Sequence, residues 1–127
     1  MRVPCFISFL MFMSEPKIFY RVGNLETSQG LWYDTQGIFT GLIHNEFNFC
    51  KNNELKMDFD PELVGWLSAT DTTTHLFEWF PREDIINLQK QGWFIHVYEA
   101  VDYKFYERFQ HLIIKQETSK FLATIPL

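Results

Sequence analysis

Three groups of residues in this 127-residue chain have types that could do chemistry. The first is an arginine inside an apolar run, Tyr20-Arg21-Val22. A guanidinium is always charged and offers a planar fork of donors, which suits a phosphate or a carboxylate. The second is the pair of hydroxyls in Trp66-Leu67-Ser68-Ala69-Thr70, followed at helical distance by Trp79-Phe80. Ser68 and Thr70 could bond the polar groups of a ligand, and an aromatic such as Trp79 could wall it. The third is the acidic, aromatic C-terminal section that holds Glu99, Asp102, Glu107 and Glu117. A carboxylate there could stabilise positive charge developing in a transition state. Each group also has a plainer reading. Arg21 could pair with an acid at a strand edge, and Ser68 could satisfy local backbone groups. Glu117 could be an exposed turn residue, and Trp79 and Phe80 could be core.

Other chemistries fit less well. No G-x-S-x-G elbow is present, and Cys50 with His44 or His75 carries no local signature of a thiol nucleophile. The glycines are dispersed singly, so no phosphate-cradling loop is written into the chain. The four histidines lack the close pairing of zinc motifs, and no metal is expected. A net charge of −5 with scattered Lys and Arg argues against direct nucleic-acid binding, which needs clustered basic residues. Acidic residues are scattered too, which leaves open an acidic binding face assembled in three dimensions. The apolar segment from Val3 to Met13 is too short to span a bilayer and has no cleavage signal after it. It reads either as a buried strand or as an extension upstream of a start at Met11 or Met13. The expectation is a cytoplasmic protein with no membrane contact.

These residues need elements to position them. Lys17–Val22, Ile38–Ile43, Trp66–Thr70, Trp93–Val101, Phe109–Lys115 and Phe121–Ile125 read as strands. Asp34-Thr35-Gln36-Gly37 is turn chemistry between Tyr33 and Phe39, and His44–Asp60 reads as a long loop. Asp60-Pro61-Glu62 starts one short helical turn closed by Gly65. Asp71 or Thr72 caps a helix through Phe80, and Pro81 opens another over Arg82–Gln91 with Gly92 beyond its end. Asp102–Arg108 is open between a helical turn and a loop. Strands outnumber helices without βα alternation, so the fold class is α+β. Two small antiparallel or mixed sheets with helices to one side are expected in one domain, residues 17–127, after an extension over 1–16.

The order of the three groups resembles that of the ADP-ribosyltransferase fold. In its arginine–serine–glutamate branch an arginine on the first strand holds the NAD phosphates, a Ser-Thr-Ser-like strand supports the nicotinamide pocket, and a late glutamate completes the site. Leu67-Ser68-Ala69-Thr70 leading into a helix, and Phe94-Ile95-His96-Val97-Tyr98-Glu99-Ala100 after the helices, are also similar to small rifampicin-type transferases. The resemblance covers roughly residues 17–127. It implies NAD as co-substrate, with Arg21, Ser68, Thr70, Tyr20 and Trp79 around it. It also implies a protein target, and a size that would suit a phage-type effector. Glu117, just before the last strand, is the first choice for the acid and Glu107 the second, with Asp102 and Glu99 behind them. Two features depart from the pattern: Ala69 replaces the middle hydroxyl, and no Glu-x-Glu or Gln-x-Glu occurs. The competing readings are a non-enzymatic acidic inhibitor acting by stoichiometric contact with a protein, and a nucleotide binder without transfer.

Overall fold

The computed structural model describes residues 15–34, 38–47, 50 and 58–127. In chain order its elements are β1 (Lys17–Asn24), α1 (Leu42–Asn45), β2 (Trp66–Ala69), α2 (Thr73–Trp79), α3 (Arg82–Gln89), β3 (Trp93–Ala100), β4 (Tyr103–Tyr106), β5 (His111–Lys115) and β6 (Lys120–Ile125). The apolar segment from Val3 to Met13 lies outside the described residues, as does most of the expected loop before Asp58.

The strands form two three-stranded antiparallel sheets, ordered β1-β3-β6 and β2-β5-β4. They meet where Tyr20 of β1 and Thr70, just past β2, exchange backbone hydrogen bonds of 2.8 and 2.9 Å. The sheets do not continue flat across that bridge. In a flat arrangement β1 and β4 would lie three strand spacings apart, roughly 14 Å. Instead the rings of Phe19 and Tyr103 meet at 5.1 Å, so the sheets fold toward each other. Phe19, Tyr98 and Ala100 from the first sheet pack with Leu67, Ala69 and Ile114 from the second in a small core between them.

The alternation of strand side chains puts the next residues on the other face. Val22, Trp93, Ile95 and Ile113 join Leu76 and Trp79 of α2 and Ile85 and Leu88 of α3 in the main core. The helices therefore cover one side of the joined sheets, as an α+β order requires. α2 begins where Thr72 accepts a hydrogen bond from the His75 backbone N–H at 3.1 Å.

Two elements differ from the sequence expectation. Ile38–Ile43 is not a strand. Tyr33 and Phe39 form the expected hairpin-like bridge, but Gly41 then takes a left-handed φ of 60°. Thr40 and Gly41 both donate to the Trp32 carbonyl, and the chain turns into α1. The second difference is β4, where a helical turn or loop was expected. Tyr103-Lys104-Phe105-Tyr106 is an aromatic run that fits a pleated surface better than a helix. It pairs with β5 across a turn closed at Gln110, which has φ 56°.

A polar tie anchors the segment that leads into β2. Asp60 accepts from Tyr106, from the Glu62 backbone N–H at 2.9 Å, and from Arg108 at 2.9 Å. The hydrogen bond from Tyr106 and the Glu62 N–H lead the effects that hold the Asp60 carboxyl below its usual range. The Tyr33 hydroxyl donates to the Asp58 carbonyl at 2.6 Å and accepts from the Asp60 N–H at 3.1 Å.

The cap at Thr72 gives a direct test of how α2 is held. Thr72→Ala should lower the unfolding free energy in urea by about 1 kcal/mol. An unchanged midpoint and slope would show that packing alone sets the start of the helix.

Candidate functional site

Arg21 shares its face of β1 with Phe19 and Gly23, the face turned toward the second sheet. Only 6% of its surface is exposed. Its Nε donates to the Ser68 backbone carbonyl at 3.2 Å. Burial lowers its pKa, and the electrostatic interaction and then the hydrogen bond with Tyr98 work against that shift. Among the described residues no carboxylate pairs with it, and its Nη1 has no partner. A buried charge left unpaired costs several kcal/mol, which a fold retains only where another group answers it.

Directly opposite Arg21 in the β1–β3 register stands His96, 1% exposed, with neither ring nitrogen partnered among the described residues. Burial, and then the neighbouring Arg21 charge, push its pKa down to about 4, so the imidazole is neutral near pH 7. Two glycines make this proximity possible. A Cβ on Gly23 would stand 3.0 Å from His96 Nδ1 and 3.2 Å from Arg21 Nη1. A Cβ on Gly30 would stand 2.4 Å from Arg21 Nη2. Gly30 itself is bridged to Gly23. On the outer side, Phe121 of β6 meets the His96 ring edge-on at 5.1 Å and the Tyr98 ring at 5.7 Å.

Ser68 meets Arg21 through its carbonyl. Its hydroxyl is turned to the helix side, 2.9 Å from His111 Nε2. His111 Nδ1 lies 3.1 Å from the Phe109 carbonyl. A carbonyl can only accept, so Nδ1 carries the proton and Nε2 accepts from Ser68. Trp79 packs edge-on to His111 at 5.3 Å and to His75 at 5.4 Å. Burial lowers the His111 pKa, with the Phe109 bond opposing. Both nitrogens of His111 are satisfied, unlike those of His96.

The other expected residues are distributed as follows. Thr70 is fully buried and donates to the Thr72 carbonyl at 2.9 Å. Tyr20 points to the helix side and packs against the main core. Glu107 is exposed on the turn between β4 and β5. Glu117 is exposed on the short 3-10 turn Gln116–Thr118, which Thr118 ties to Asp102 at 2.7 Å. Glu99 stands opposite Lys120 in the β3–β6 register. Among the described residues, none of these carboxylates bonds to Arg21.

Sequence reasoning thus found Arg21 and its neighbour Ser68 but missed His96, Tyr98, Phe121 and the two glycines. The only available signal was a histidine amid apolar strand residues, Ile95-His96-Val97, which more often marks a satisfied core residue. No group of three or more His, Cys, Asp or Glu side chains that could hold a metal occurs among the described residues. No helix among them is long and apolar enough to cross a membrane. No protein-family profile, curated protein or solved structure matches this chain.

Two outcomes follow from this geometry. His96 is neutral in the fold but protonates near 6.5 when unfolded, so the unfolded chain binds more protons below that pH. Stability should be fully present above pH 6.5 and fall by on the order of 3 kcal/mol as pH drops to about 4. His96→Phe should flatten that slope in urea titrations, leaving the smaller contribution of His111; an unchanged slope would place the imidazole in contact with water. Gly30→Ala should cost about 1–3 kcal/mol, because the added Cβ would displace a buried guanidinium from the hydrogen bond it makes to the Ser68 carbonyl. A neutral effect would mean that Arg21 is not fixed.

Proposed function

We propose that the protein is an NAD-dependent mono-ADP-ribosyltransferase acting on a protein target, with NAD bound where its two sheets meet. The observation that carries this reading is Arg21, buried without a carboxylate and oriented by the Ser68 carbonyl, with one nitrogen unanswered among the described residues. A fixed planar cation of this kind suits the diphosphate of a dinucleotide. The sequence order adds to it: a first strand with arginine, a strand–helix step through Ser68, and a late acid in the manner of an ADP-ribosyltransferase fold.

In this reading Ser68 contributes its carbonyl, which aims Arg21, while its hydroxyl belongs to the His111 side. Cleavage of the nicotinamide–ribose bond builds positive charge on the ribose, and a carboxylate beside it lowers that barrier. Glu117 is the assigned acid. It stands just before β6, the strand that carries Phe121, on a turn held by Thr118, Asp102 and the Gln116–Gly65 backbone bond. Glu107 is the second candidate, on the far end of β5.

The test is incubation of the purified chain with labelled NAD and a cell lysate. Label should appear on a protein band and nicotinamide should be released. Glu117→Gln should reduce transfer by about 100-fold or more, and Glu107→Gln should leave it near the wild-type rate. Arg21→Lys, which keeps the charge but loses the fork, should raise the KM for NAD. The absence of both label and nicotinamide release would remove the transferase reading. A melting temperature raised by NAD without turnover would leave a nucleotide binder.

A further inference from the structure

The unanswered polar atoms are not scattered. Of the four buried side-chain atoms without a partner among the described residues, three belong to Arg21 and His96. The fourth, Trp32 Nε1, sits apart in the main core. Buried polar groups are almost always hydrogen-bonded, so a cluster of three orphans beside a buried charge points to something that binds there. The groups are complementary in chemistry. Arg21 Nη1 can only donate, whereas a neutral imidazole offers one donor and one acceptor.

The cluster also has an aromatic flank. Phe121 touches both His96 and Tyr98, yet 46% of its surface is exposed. It lies on β6, an edge strand whose only sheet neighbour is β3, so one side of the ring can be reached from solvent. Arg21, His96 and Phe121 sit on three adjacent strands and span about two strand spacings, roughly 10 Å. That is a span a nucleoside diphosphate covers from its phosphoryl groups to its base.

We propose that His96 and Phe121 are ligand-contacting residues, with Arg21 and the His96 N–H holding a phosphoryl oxygen and the Phe121 ring stacking a heteroaromatic base. The ligand class is a nucleotide bearing a diphosphate. The inference names the contacts of the site assigned above and rests on that reading for its location. The free acceptor nitrogen of His96 then meets a ligand hydroxyl, such as one of a ribose. Because burial keeps His96 neutral, the positive charge of the Arg21–His96 pair is carried by Arg21. The two glycines become part of the design, since a side chain at either would push into the groups that hold the anion.

The experiment titrates ADP, and separately inorganic pyrophosphate, into the full chain carrying 15N-labelled histidine. ADP should shift the His96 ring nitrogens and leave those of His111, both already bonded, nearly in place. Phe121→Ala should weaken ADP about tenfold, by loss of stacking, without changing pyrophosphate affinity. His96→Asn should weaken both ligands. Phe121 is half exposed, so its removal leaves the fold available for measurement. Ring nitrogens unmoved by millimolar ADP and pyrophosphate would show that the recess holds water only, and would overturn the proposal. Equal loss of both ligands in Phe121→Ala would overturn the stacking contact. The two readings separate cleanly. ADP bound as described with no ADP-ribosyl transfer removes the transferase and keeps these contacts; transfer with an unchanged KM for NAD in both variants does the reverse.

Discussion

A single buried cation governs the arrangement of this protein. Arg21 sits where the two sheets join, with its Nε on the Ser68 carbonyl and its Nη2 against Gly30. Burying a guanidinium with no carboxylate partner among the described residues is expensive, and the fold offsets part of that cost with oriented neutral groups, the Ser68 carbonyl and the Tyr98 phenol. The sheets fold toward each other around it, so the same contact that aims the arginine also sets the small core of Phe19, Leu67, Tyr98 and Ile114. Structure and candidate chemistry therefore depend on one residue.

The two histidines show how environment separates similar residues. His96 and His111 are both buried strand residues. His111 has a backbone carbonyl on one nitrogen and a serine hydroxyl on the other, which fixes its tautomer and leaves nothing over. His96 faces Arg21, Gly23 and aromatic rings, and among the described residues none of them bonds either ring nitrogen. Type and burial are the same for both; only the partners differ, and among the described residues His96 alone keeps both ring nitrogens unbonded.

Local features of this chain were legible wherever one short stretch decides the outcome. Thr72 caps α2, Pro61 and Gly65 bracket a 3-10 turn, and Gly92 ends the approach to β3 with φ 88°, all as the residue types dictate. The bridge between Tyr33 and Phe39 is set by Asp34, whose carboxylate accepts from the Ile38 backbone N–H. Ile38–Ile43 misled because a left-handed Gly41 interrupts an otherwise strand-like run. Asp102–Arg108 misled because charges at both ends mask the aromatic pairing core of β4. The site was legible only in its outline. That Arg21 would face His96 is a matter of register between strands far apart in sequence, and the direction of the Ser68 hydroxyl is a matter of which sheet face packs on the helices. Neither is encoded within a window short enough to read.

The order of the first sheet has a consequence for how the chain reaches this structure. β1 pairs with β3 from Lys17 opposite Ala100 to Asn24 opposite Trp93, so the first described strand waits for the third, made after β2 and both longer helices. β3 then receives β6, from the end of the chain. Contacts this remote must absorb loop-closure entropy before they return any stability, and they make folding slow. During synthesis the strand bearing Arg21 stays unpaired until β3, which begins 69 residues after Asn24, has followed it. The buried cation is thus enclosed only after β3 has been made and paired with β1.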